Sequence, residues 1–135
     1  ILYTTGTVTI DKDIKYVQGS LEYDSEIPQL IIAATDIVIT EPVQRVDAWL
    51  IAKGKLSTCN INPPLTVNQC NRQLTMNGPV MATKLQLNRT YYDSTKKDAA
   101  EVMNLRPSSY IWAYQQVRKK GTWQTTYVTE LPPRY

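Results

Sequence analysis

The chain is 135 residues long, 42% apolar and 20% charged, which suits one globular domain and is too hydrophobic for a disordered segment. Its net charge of +3 is spread over interspersed acids and bases, and the densest basic run, Arg118-Lys119-Lys120, is too short for a nucleic-acid footprint. There is no His, which removes histidine general bases, His-ligated zinc and Ser-His or Cys-His nucleophile pairs.

Phe is also absent, while Tyr occurs nine times and Trp three times; these aromatics carry a polar tip and suit surfaces and interfaces. No stretch approaches the roughly 18 apolar residues of a membrane span. The chain opens with Ile rather than Met, so it is expected to be a trimmed fragment, with membrane contact only through an anchor outside it.

From the amino terminus, GTVTI (6–10) alternates Val8 and Ile10 as a strand does. TIDKDIKY (9–16) brings Asp11 and Asp13 to one side of a candidate strand, and Asp24 and Glu26 are spaced alike. Glycoside hydrolysis needs two carboxylates across a scissile bond. Both pairs, however, sit in the least regular part of the chain, where solvated acids are the default. Nor does Asp11-x-Asp13 have the glycines and further acids of a calcium loop.

Next come IIAATDIVI (31–39), LIAKGKLST (50–58) and VMATKLQL (80–87), which share a grammar with 9–16. Two mostly apolar residues lead to a third position, occupied by Asp11, Ala33, Ala52 and Ala82; a short spacer and further alternating apolar residues follow. Asp47 stands between Val46 and Ala48, as an outward residue would. The last interval contains Cys59 to Cys70, and removing that segment gives a period of 18 to 22 throughout.

Cys59 and Cys70 are the only cysteines. Two thiols without His cannot close a zinc site, their spacing is not that of a redox motif, and nothing nearby marks a reactive thiol. A disulfide over a Pro- and Asn-rich loop is the reading adopted, against a pair of free thiols, and it places the protein in an extracellular or cell-envelope compartment.

Short strands at this period fit either a meandering β-sandwich or barrel or a short parallel β-helix. Asn77-Gly78 is followed by Pro79, which is awkward after a hairpin turn and comfortable at a solenoid corner. Asn88-Arg89-Thr90 matches a glycosylation sequon, read as chance. Tyr91 and Tyr92 then follow the last repeat.

Residues 98–135 read as a cap over residues 1–97. Asp98 to Glu101 is a capping-box pattern that predicts a helical turn through Val102 and Met103. Ser108 or Ser109 is expected to N-cap a second helix with a Tyr110, Ile111, Tyr114, Val117 stripe, ended by Gly121. TWQTTYVTEL (122–131) reads as a strand. Trp112 and Trp123 fill the cap or, with Tyr91, Tyr92 and Tyr114, form a binding surface; their exposure discriminates the two.

QLTMNGPVMATKLQLNR (73–89) resembles a recurrent rung of bacterial cell-envelope β-solenoid ectodomains, and AEVMNLRPSSYIW (100–112) and VTELPPRY (128–135) are similar to their closing segments. Some of these proteins are pilin-like or pilus-associated. A more distant likeness is to bactofilins, which are self-assembling scaffolds. The resemblance covers most of 29–135 and implies a single-domain, all-β, right-handed parallel β-helix of about four rungs with a helix-plus-strand cap. The function expected from it is a non-catalytic surface module, structural or adhesive, that meets a protein or glycan and uses no cofactor or metal. A small carbohydrate-binding or carbohydrate-processing module using Tyr91, Tyr92 and nearby acids is the alternative.

Overall fold

A computed structural model describes residues 1–16, 28–91 and 98–120. The strands are β1 (Leu2–Tyr3), β2 (Thr7–Ile10), β3 (Ile31–Ala34), β4 (Asp36–Ile39), β5 (Arg45–Val46), β6 (Trp49–Ser57), β7 (Leu74–Asn77), β8 (Val80–Gln86) and β9 (Glu101–Asn104), followed by one helix, α1 (Pro107–Lys120). Among the described residues every pairing is parallel, whereas the sandwich alternative needs antiparallel neighbours.

β6 is the centre of a curled six-stranded sheet, with β3 and β4 along one edge and β8 along the other, while β1 and β2 lie beyond β3 and β4. β5, β7 and β9 form a three-stranded sheet, extended by an isolated bridge from Ile14 to Val46. The chain passes from the larger sheet to the smaller and back: β4 leads to β5, β5 to β6, β6 to β7, β7 to β8 and β8 to β9.

The strand registers align apolar side chains in columns. Leu2, Ile32, Leu50 and Val80 form one, Val8, Ile37, Leu56 and Leu85 a second, and Ile14, Val46, Met76 and Met103 a third. Inner members such as Ile37, Leu50, Leu56, Val46 and Met76 are fully buried, while Leu2, Leu85 and Met103, on edge strands, are 48%, 42% and 43% exposed. At roughly 1.5–3 kcal/mol for each fully buried aliphatic side chain, these columns are the main source of stability.

The registers correct the repeat drawn from the sequence. Ala34, not Ala33, is level with Ala52 and Ala82, and Ala33 lies opposite Ile51. Two adjacent alanines permit either alignment; the inward alternation of Ile32 and Ala34 decides it. The first repeat is Leu2–Tyr3 with Thr7–Ile10, not 9–16, since Val8 pairs with Ile37, and Asp11 is exposed outside any strand. In the larger sheet the period of 18 to 22 therefore holds from β3 and β4 to β6 and, with the cysteine segment removed, from β6 to β8 at Leu50 and Val80, but not for the first interval. Leu2 lies 30 residues before its partner Ile32, so the first interval is as long as the cysteine-bearing one.

Asp98 to Glu101 does not start a helix: Glu101–Asn104 is β9, paired with β7. The Glu101 carboxylate accepts from Thr58 Oγ1 (2.5 Å) and from the Arg89 backbone N–H (3.0 Å), so ladder and side-chain bonds supersede the local cap. Helix α1 starts at Pro107, ahead of the expected Ser108 or Ser109 cap; proline suits the first helical position, and the Ser109 N–H donates to the Arg106 carbonyl. Gly121, the 122–131 strand and the Asp24–Glu26 pair lie outside the described residues.

Gly78 carries the turn from β7 to β8 at φ 155°, where a Cβ would meet the Ala48 carbonyl oxygen at 2.3 Å. Only glycine lets these two chain turns pack so closely. The Cys59–Cys70 disulfide is formed and both residues are buried.

Candidate functional site

The smaller sheet carries a polar recess, and its construction begins at Asp47. Expected to point outward, Asp47 is fully buried in the turn from β5 to β6, with Val46 and Ala48 buried beside it. The strict inward–outward alternation ends there because Asp47 lies between strands. Its Oδ1 accepts from Arg45 Nε (2.9 Å) and Asn77 Nδ2 (2.7 Å), and its Oδ2 from Arg45 Nη2 (3.0 Å) and the Tyr16 N–H (3.1 Å). Burial works to raise the carboxyl, but bonds from Arg45, Asn77 and Tyr16 outweigh it and hold the pKa below its ordinary value. Arg106 adds a guanidinium 3.9 Å away that also lies over the Tyr16 ring.

Asp13 fixes the next layer. Its Oδ1 accepts from the Gln44 (2.7 Å) and Arg45 (3.1 Å) N–H groups, and its Oδ2 pairs with Lys15 Nζ at 2.9 Å. Burial opposes its ionisation, yet Lys15 and the two N–H groups keep its pKa below the usual value. The Ile14 bridge to Val46 sets Asp13 and Lys15 beside β5, and the β5–β7 register places Arg45 next to Thr75.

These groups open on a shallow cleft of about 470 Å³ lined by Asp13, Lys15, Gln44, Arg45, Gln73, Thr75 and Tyr91. Tyr91 is half-buried and supplies the one aromatic wall among the described residues. Gln73 donates to the Ala99 carbonyl (2.8 Å), which steadies its amide. The cleft is thus a set of cationic, amide and hydroxyl groups beside one phenol ring.

The five aromatics named from the sequence separate. Tyr91 lines the cleft. Trp112 instead packs edge-on against Trp49, with ring centroids 6.0 Å apart, so it belongs to the seat of α1 on the sheet's outer flank. Tyr114 is exposed on α1 with Arg118 5.8 Å from its ring centroid. Tyr92 and Trp123 lie outside the described residues. Asp13, weighed as half of an acid pair, faces the cleft, whereas Asp11 does not line it.

Arg89, passed over within a chance sequon, is the buried cation at the cysteine end. It donates to the carbonyls of Thr58 (2.6 Å), Glu41 (2.7 Å) and Thr40 (3.0 Å), closing chain turns from three segments around one planar fork. Burial lowers its pKa and the Glu101 charge raises it. No sequence spacing marks this residue, because its partners are backbone oxygens. Among the described residues no cluster of acids and cysteines could hold a metal ion, and no helix is long and apolar enough to cross a membrane.

No protein-family model, curated protein or solved structure matches this chain.

Proposed function

We propose that the chain is a short right-handed parallel β-helix serving as a non-catalytic, adhesive module at a bacterial cell surface, with the Tyr91 cleft as a glycan site. Four successive passes through the two sheets are then its rungs, and the pilin-like or pilus-associated setting follows from the resemblance of 73–89 and 100–112.

The observation that carries the reading is the cleft's chemistry. Sugars present hydroxyls in fixed directions and one apolar ring face. A cleft of amides, a hydroxyl and charged donors beside one aromatic ring meets both needs. The disulfide is consistent with an oxidising compartment. Among the described residues Asp13 is the single carboxylate lining the cleft, and its oxygens are engaged by two N–H groups and Lys15. Glycoside hydrolysis uses two carboxylates in different protonation states, so binding without turnover is the better fit.

The test is a glycan panel of neutral and acidic oligosaccharides presented to wild type and Tyr91→Ala. Binding that weakens about tenfold in the variant, as for an interfacial aromatic worth about 1.4 kcal/mol, is expected. Equal binding by both proteins, or none across the panel, would overturn the reading.

A further inference from the structure

We infer that the glycan held in the Tyr91 cleft is an acidic one, its sugar carboxylate received by Lys15 and Arg45. The inference rests on the glycan reading above and adds the ligand's charge class.

Among the described residues Asp13, Lys15 and Arg45 are the charged side chains that line the cleft, and Asp47 is buried beside Arg45. Asp47, the acid paired with Arg45, is fully buried behind the sheet and accepts four hydrogen bonds there. Asp13 lines the cleft, but its Oδ1 is taken by two N–H groups and its Oδ2 by Lys15. Neither acid has an oxygen without a partner to offer a ligand.

The cations are placed the other way. The Arg45 side chain is 42% exposed and binds Asp47 through Nε and Nη2, leaving Nη1 without a hydrogen bond among the described residues. Lys15 is 58% exposed and gives Asp13 one of its three donor positions. A ligand entering here meets N–H groups on two exposed cations, while Asp47 is fully buried and the Asp13 oxygens in the cleft are already engaged. The guanidinium is held in plane by its two bonds to Asp47, which pre-orients its remaining edge for a carboxylate. Thr75, beside Arg45 in the ladder, and Tyr91 provide neutral contacts for the rest of the ring.

Methyl esterification removes the sugar's charge at nearly constant shape, so the probes are short oligomers of galacturonic and mannuronic acid and their methyl esters. Titration calorimetry at low and moderate salt would be run on wild type, Lys15→Gln and Tyr91→Ala. One acid oligomer is expected to bind at least tenfold more tightly than its ester, with an affinity that falls as salt rises. Lys15→Gln should erase most of that preference, lowering acid affinity at least fivefold more than ester affinity, and because Lys15 is exposed the Asp47 cluster stays intact. Tyr91→Ala should weaken acid and ester alike. Equal affinity for acid and ester, or neutral oligosaccharides binding best, overturns the inference and leaves the glycan reading standing. No binding of any oligosaccharide overturns both.

Discussion

Replacing Asp47 by Asn tests whether the buried carboxylate organises the turn behind the cleft. The substitution keeps size and shape and removes the charge. Asp47 accepts four hydrogen bonds, two of them from Arg45. An asparagine oxygen can keep two of them, and its NH2 group then faces two donors. Hydrogen bonds to charged groups contribute roughly 1.5–3 kcal/mol each, and breaking one side of a buried ion pair costs roughly 3–5 kcal/mol. The expected loss is therefore about 3–5 kcal/mol, a fifth or more of the roughly 5–15 kcal/mol typical of a domain. Urea unfolding followed by tryptophan fluorescence, with Trp49 and Trp112 in contact as reporters, should show the midpoint falling at unchanged slope. Asp11→Asn, at an exposed site outside the strands, should stay within about 0.5 kcal/mol of wild type. An Asp47→Asn stability within about 1 kcal/mol of wild type would show that the buried carboxylate does not organise this turn.

The same carboxylates set the acid limit of stability. Asp47 and Asp13 are held below their ordinary value of 3.8, so each stabilises the fold above that pH, and the contribution is lost as pH falls through the folded values. Unfolding curves should change little from pH 7 to about pH 5 and decline below about pH 4, with a shallower decline in Asp47→Asn. Gly78→Ala should destabilise by more than about 2 kcal/mol in the same assay, since its Cβ would strike the Ala48 carbonyl oxygen. Exchanging both Cys59 and Cys70 for Ser should cost about 3 kcal/mol by the chain-entropy relation. Intact mass after alkylation should show both thiols protected until reductant is added, and two freely alkylated cysteines would contradict the disulfide. Arg89→Met strands the carbonyls of Thr40, Glu41 and Thr58, and a loss of about 2–4 kcal/mol in urea unfolding is expected.

Strands were legible wherever apolar residues alternate in short runs, as in 31–39 and 80–87, because a half-buried strand must alternate. The turn at Asn77-Gly78-Pro79 was legible from the proline. Register was not, since the Ala33-Ala34 pair satisfies the pattern in two ways and neighbouring strands choose between them. β9 was misread because a capping box is a local signal, while the pull on Glu101 comes from Thr58, 43 residues away. The cleft was half legible. Tyr91 and Asp13 could be named by type, but Lys15, Arg45, Gln44, Gln73 and Thr75 are ordinary surface residues until strand pairing brings three chain segments together. Asp47 left one usable trace, the Arg45-Val46-Asp47 spacing that puts an Arg and an Asp two residues apart, within reach of a bidentate pair.

Under the proposed function, ligand binding is confined to the cleft on the smaller sheet. Amide chemical-shift mapping by NMR, during titration with the uronic acid oligomer that binds best, tests it most directly. The expected result is a contiguous set of shifts at residues 13–15, 44–45, 73–75 and 91, with the α1 amides around Tyr114 unmoved. Shifts centred on α1, or scattered over the exposed edges of β1 and β8, would contradict the account.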